Sequence, residues 1–98
     1  MLPIDSLQKL RDYFKTKPIV KAWIFGSYAR GEQTPDSDID ILVDFDMDNY
    51  PSLLGHAGMI IDIEDLIGKK IDLVPNECVY QRIRHFVEKD KVLIYERK

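Results

Sequence analysis

The sequence is short of several things, and each shortage excludes something. Cys78 is the one cysteine in 98 residues. No disulfide can close within the chain, and a lone thiol fits a reducing, cytoplasmic setting. No apolar run approaches the roughly 20 residues that span a bilayer. The N-terminus lacks the basic-then-apolar pattern of a secretory leader. Positive charge is also in short supply: 14 Lys and Arg stand against 17 Asp and Glu, a formal net charge of -3. That balance argues against a reader of duplex DNA held by phosphate contacts. It leaves room for an enzyme that meets a nucleotide through a bound cation. There are no repeats, low-complexity tracts or interdomain linkers. What is present is a 45% hydrophobic composition, too apolar for a disordered chain. The expectation is one domain over residues 1–98. A domain of this size buries roughly 60–65% of the surface its unfolded chain exposes.

Ile4, Leu7, Leu10 and Phe14 recur at helical spacing, so a first helix is expected from about Ser6 to Lys15, capped by Asp5 or Ser6. Lys17-Pro18 ends it, because proline disfavours helical geometry in the residue before it. The β-rich run Ile19–Phe25 reads as a strand. A short helical turn, Ser27 to Arg30, and a polar loop through Gly31 and Pro35 follow. A second strand is expected from Asp38 to Phe45. Its alternation sends Ile39, Ile41, Val43 and Phe45 to the core and Asp38, Asp40, Leu42 and Asp44 the other way. Leu53, Leu54, Ala57, Ile60, Ile61, Leu66 and Ile67 form a broad helical stripe that Gly68 stops. Ile71–Val74 reads as a third strand, with Asp72 opposite Ile71 and Leu73. Val79, Ile83, Phe86 and Val87 mark a last helix, and Val92–Tyr95 a final strand. The fold class is therefore α/β, a mixed sheet of about four strands with helices packed on it.

The stretch Gly26–Asp46, GSYARGEQTPDSDIDILVDFD, organises the rest. Asp38 and Asp40 sit one repeat apart on one side of a strand. If Asp72 on a neighbouring strand meets them, three negative charges share one place. Two unit charges about 5 Å apart at an effective dielectric of ~20 repel by roughly 3 kcal/mol. A divalent cation removes that cost, and an all-oxygen ligand set favours Mg²⁺ or Mn²⁺ over Zn²⁺. Two such ions suit an in-line displacement at phosphorus. The plainer reading is a solvated acidic strand face. Asp36, Asp44, Asp46 and Asp48 read as solvated loop charge. Gly26 at a strand end lets the backbone turn sharply and approach a ligand. Ser27 then opens a helical turn whose free N–H groups and hydroxyl can receive phosphate oxygens. The plainer reading here is an ordinary capped turn. Arg30 could reach a phosphate or a carboxylate. Lys69 and Lys70 read as a solvated pair. Tyr28 packs either under a nucleotide or on the core. Trp23 reads as core, His56 and His85 as surface or packing residues, and Cys78 as structural.

Taken together, these features are specific. Strand, Gly-Ser, helical turn, Asp-x-Asp on the next strand and an isolated Asp on a later one resemble the nucleotidyltransferase superfamily with a DNA polymerase β-like core. Gly26-Ser27-Tyr28-Ala29-Arg30-Gly31 followed by Ser37-Asp38-Ile39-Asp40-Ile41 resembles the minimal nucleotidyltransferase (MNT) proteins in particular, over essentially the whole chain. The resemblance implies ATP as substrate with Mg²⁺, attack by an acceptor hydroxyl on the α-phosphorus, and release of pyrophosphate. It implies that Asp38 and Asp40 bridge two metal ions and that Asp72 ligates the catalytic one and helps take the acceptor's proton. Gly26 and Ser27 would hold the β- and γ-phosphates. MNT proteins are commonly antitoxins paired with a helical HEPN ribonuclease toxin, whose tyrosine receives AMP. The expected function is thus a protein adenylyltransferase antitoxin acting on a HEPN-type partner, with possible homo- or hetero-oligomers. The added AMP brings about one negative charge and blocks nearby contacts. Two other functions remain open at this point. One is nucleotidyl transfer to a small hydroxylated acceptor such as an aminoglycoside, which needs a second wall that 98 residues do not supply. The other is an antitoxin that neutralises by binding alone, for which clustered carboxylates have no use.

Overall fold

Two runs rich in β-branched and aromatic residues, Ile19–Phe25 (β1) and Ile39–Phe45 (β2), make the central antiparallel pair of the sheet. In the computed structural model, which describes residues 1–97, these are joined by helices α1 (Ile4–Phe14), α2 (Ser27–Arg30), α3 (Leu53–Ile67) and α4 (Gln81–Asp90), and by strands β3 (Ile71–Pro75) and β4 (Val92–Glu96). The sheet runs β3-β2-β1-β4. β1 is antiparallel to both β2 and β4, while β3 lies parallel to β2. A parallel neighbour needs a crossover, and α3 supplies it. The mixed α+β architecture expected from the sequence is the one observed. No helix among the described residues is long and apolar enough to cross a membrane.

One face of the sheet carries the core. Leu10 and Phe14 of α1 and Met59 and Ile63 of α3 pack on Ile24, Ile39, Ile41, Val43, Ile71 and Leu73. Each such side chain, fully buried, contributes about 1.5–3 kcal/mol. Ile19 and Ala22 are both buried although three residues apart. Strict alternation forbids this, and the register of β1 against β2 shifts between Ile19 and Lys21 to allow it.

The other face is covered by α4, which changes several expectations. Leu42, expected to share the outer face with the aspartates, is fully buried, as is Val87 of α4, and neither belongs to the main core. The middle of β2 is thus buried on both sides, which alternation alone does not reveal. Trp23, expected in the core, is half-buried with the Lys91 ammonium 4.6 Å from its ring centre. Ile83 and Phe86, whose spacing marked the last helix, are 41% and 58% exposed. In α3, Leu53, Leu54, Ala57, Ile61 and Leu66 of the apolar stripe are exposed; the buried residues are Met59 and Ile63. The helix has an apolar outer stripe as well as an inner one, so periodicity could not say which faces in.

Helix α1 begins at Ile4 rather than Ser6, with Pro3 at its cap and no side-chain capping bond. Proline at this boundary has its φ already set for helix entry. Ile4 is 80% exposed, and Leu2 is buried in its place. Helix α3 shows the expected pattern of stops, with Ser52 Oγ accepting from the Gly55 N–H at 3.0 Å and Gly68 closing it at φ 77°.

Candidate active site

β1 ends at Phe25, and the chain must then reverse into α2 within one residue. Gly26 does this at φ 73°, in the region that L side chains rarely adopt. Space makes the same demand: a Cβ at position 26 would collide with Oδ2 of Asp40. Gly26 therefore lets the backbone lie directly against a carboxylate. The following turn, Ser27–Arg30, is anchored from below by Tyr28, which is buried on the core side. Of the two roles open to Tyr28, the structure gives it the packing one. The N–H groups that open a helical turn have no partners within it, so those at the start of α2 remain available beside Asp40.

The loop into β2 is shaped by its own polar groups. The Thr34 N–H donates to Ser37 Oγ at 2.9 Å, and the Ser37 N–H donates back to the Thr34 carbonyl at 3.0 Å. This closed turn delivers Asp38, exposed, immediately before β2 starts at Ile39; the strand was expected to include it. Asp40 follows, half-buried. In the sheet, Asp40 is paired with Phe25 on one side and with Asp72 on the other. Parallel partners in register point to the same face, so Asp72 stands beside Asp40. The Ile39 N–H donates to the Lys70 carbonyl at 3.0 Å and fixes this register at its first residue. The Ile71 N–H, next along, is held by Glu64 Oε2 of α3 at 3.1 Å.

The electrostatics agree with the geometry. The carboxyl of Asp40 is pushed up to about 6, first by burial, then by the charges of Asp72 and Asp38, against an opposing pull from Arg30. The three aspartates singled out by the sequence are thus brought together, with Gly26 and Ser27 alongside. All their ligating atoms are carboxylate oxygens, the donor set of a hard divalent cation. Among the described residues, no three such side chains already stand close enough to enclose an ion.

The remaining candidates separate cleanly. Arg30 is paired with carboxylates, Asp90 at 2.7 Å and Glu32 at 3.4 Å. Lys69 and Lys70 are exposed. His56 sits half-buried with Nε2 2.8 Å from the Leu73 carbonyl, and His85 is exposed against Phe86. Cys78 is exposed rather than structural. Two of the aspartates read as free loop charge are engaged: Asp44 accepts from Asn76 at 2.9 Å, and Asp46 caps a short 3-10 turn and pairs with Arg97 at 2.9 Å. Asp90 was not singled out from the sequence at all. Nothing local marks an acidic residue at the end of a helix as the partner of an arginine 60 positions away.

The glycine turn against Asp40, the neighbouring Asp72 and this sheet order accompany a family match: the chain belongs to the nucleotidyltransferase domain family, whose model matches residues 7–94. Within that class its relatives are more particular. It is 41% identical over 86 residues to a Methanocaldococcus jannaschii chain named "Putative protein adenylyltransferase", covering 87% of this chain and 83% of that one. It is 38% identical over 87 residues to the protein adenylyltransferase MntA of Thermococcus cleftensis, covering 89% and 83%. Its fold is shared with a chain in the solved structure of the tri-AMPylated Shewanella oneidensis HEPN toxin in complex with MNT antitoxin. The TM-score there is 0.71 at 15% identity, over 94% of this chain and 71% of that one.

Proposed function

We propose that this protein transfers AMP from ATP to a tyrosine hydroxyl of a HEPN-type toxin and so acts as its antitoxin. The observation that carries the reading is the pairing of Asp40 with Asp72 across parallel strands, with Asp38 adjacent and the Gly26 turn pressed against Asp40. The names of its relatives point the same way.

In this reading Asp38, Asp40 and Asp72 would hold Mg²⁺ through their carboxylate oxygens. When bound, Mg²⁺ supplies charge neutralisation at the α-phosphate and makes a hydroxyl more acidic. The raised pKa of Asp40 fits this: burial first, then the charges of Asp72 and Asp38, disfavour its ionised form, and a bound cation would favour it. The N–H groups of Gly26 and Ser27 receive the β- and γ-phosphates. With the phosphates held at the Gly26 turn, an in-line displacement would bring the acceptor oxygen from the opposite side, toward Asp72 on the edge strand β3. A new oxygen–phosphorus bond forms to the tyrosine, and the bond from the α-phosphorus to the bridging oxygen breaks. Pyrophosphate departs with the electron pair, and the tyrosine proton passes to Asp72. Rate enhancement comes from positioning and electrostatics.

Co-expression with a HEPN partner, followed by mass spectrometry of that partner, tests this. The expected result is a gain of one or more AMP groups, lost in Asp38→Ala and in Asp40→Ala. A partner still modified by either variant would overturn the site. A partner unmodified yet silenced by the wild type would make binding the mechanism.

A further inference from the structure

Arg30 closes α2 and reaches across to the last residue of α4. Its Nη1 donates to Asp90 Oδ2 at 2.7 Å, and its Nε to Glu32 Oε2 at 3.4 Å. The two contacts are unequal. The Asp90 side chain is 18% exposed, that of Glu32 68%. A short, sheltered, charge-assisted bond holds a guanidinium, whereas a long solvated one adds little. These contacts use two of the five N–H donors of Arg30, so three are left. The same guanidinium helps line a cleft of about 200 Å³, together with Gly26, Phe25, Asp90 and the apolar side of α4 at Ile83, Phe86 and Val87. Arg30 is the cationic member of that lining. Its charge is also felt at Asp40. The guanidinium is therefore held beside the glycine turn, within range of the Asp40 charge.

We propose that Asp90 is a positioning residue for the nucleotide: it fixes the guanidinium of Arg30 at the wall of the Gly26 cleft with its free donors turned to phosphate, so that α4 forms part of the triphosphate site. An arginine on an isolated four-residue turn samples many rotamers, and ordering it on binding costs affinity. A fixed carboxylate removes that cost before the ligand arrives. This rests on the reading of Gly26 and Ser27 as the phosphate turn.

Calorimetric titration with Mg·AMP-PNP separates the cases. Asp90→Asn weakens binding about fivefold, the scale of one well-held ion pair, and Asp90→Glu restores most of it. Arg30→Ala weakens binding further, and Asp90→Asn adds nothing in the Arg30→Ala background, because the two residues act as one unit. In AMP transfer the effect of Asp90→Asn falls on KM for ATP rather than on kcat. Tighter binding by Asp90→Asn would show that the carboxylate competes with phosphate and would overturn the proposal. So would an equal penalty in the Arg30→Ala background, which would mean that Asp90 acts only through the packing of α4, or no change at all. Wild-type protein that fails to bind Mg·AMP-PNP would instead overturn the phosphate-turn reading, a separate outcome.

Discussion

Ile39, Ile41 and Val43 look into a layer closed by α1 and α3, while Asp38, Asp40 and, one strand over, Asp72 stand on the reverse of the same sheet. There Leu42 is buried, while Asp38 is exposed and Asp40 only half-buried. The first face is apolar and sealed, and it holds the fold together. The second is acidic and partly open, and it opposes the fold slightly through charge repulsion. β2 serves both, because its side chains alternate. Stability and chemistry are thus separable by substitution, even though neighbouring residues of one strand carry them.

Five substitutions put that separation under strain. The largest effect is expected from Asp38→Ala or Asp40→Ala. AMP transfer should fall by about 10³-fold or more, about 4 kcal/mol of transition-state stabilisation, with no loss in thermal midpoint. A variant that unfolds instead would break the comparison. Next is Phe14→Ala, fully buried against the sealed face. It should cost about 3–4 kcal/mol in denaturant unfolding, with transfer per folded molecule unchanged. Third is Gly26→Ala, which sits between the two faces. Strain at φ 73° and collision with Asp40 should cost about 1–3 kcal/mol, and Mg·AMP-PNP affinity should drop as well.

The smallest effect concerns Asp40 alone. Its carboxyl is raised to about 6 in the fold against the ordinary 3.8 of a solvated aspartate. Between those values the folded chain holds more protons than the unfolded one, so stability without metal falls as pH rises through that window and the deficit is complete above it. The group is only half-buried, and after allowance for solvent screening the deficit is about 1 kcal/mol. Asp40→Asn should recover it at pH 7.5 and flatten the pH dependence of the thermal midpoint. For the same reason Mg²⁺ should stabilise the wild type more at pH 7.5 than at pH 5, and a midpoint indifferent to both would contradict the charge crowding.

The sequence made the active-site strands legible because their signals are short in range. Asp38-Ile39-Asp40 states its own geometry through alternation, and Gly26 states its own through a turn no other residue takes easily. Asp72 could be placed on the same face only by assuming that β3 pairs with β2, which the parallel register bears out. What could not be read was coverage. Nothing in Leu42 says that α4 lies above it, and Leu53, Leu54 and Ile61 are as apolar as the residues buried beneath them. Arg30 belongs with these. Its partner is set by where α4 packs, a long-range fact, so the sequence could name the arginine but not Asp90.

The third carboxylate arrives on a strand that reaches its neighbour only after the fifteen residues of α3. The hairpin-like path from β1 to β2 fixes the first two acids locally, but Asp72 depends on a distant segment docking in one phase and no other. A slip of a single residue between β3 and β2 would turn Asp72 toward Leu10 and Ile63 and present Ile71 or Leu73 to the nucleotide. The clamp at Lys70 and Glu64 guards against that slip. The third acid of the set therefore depends on the register of the sheet's one parallel pair.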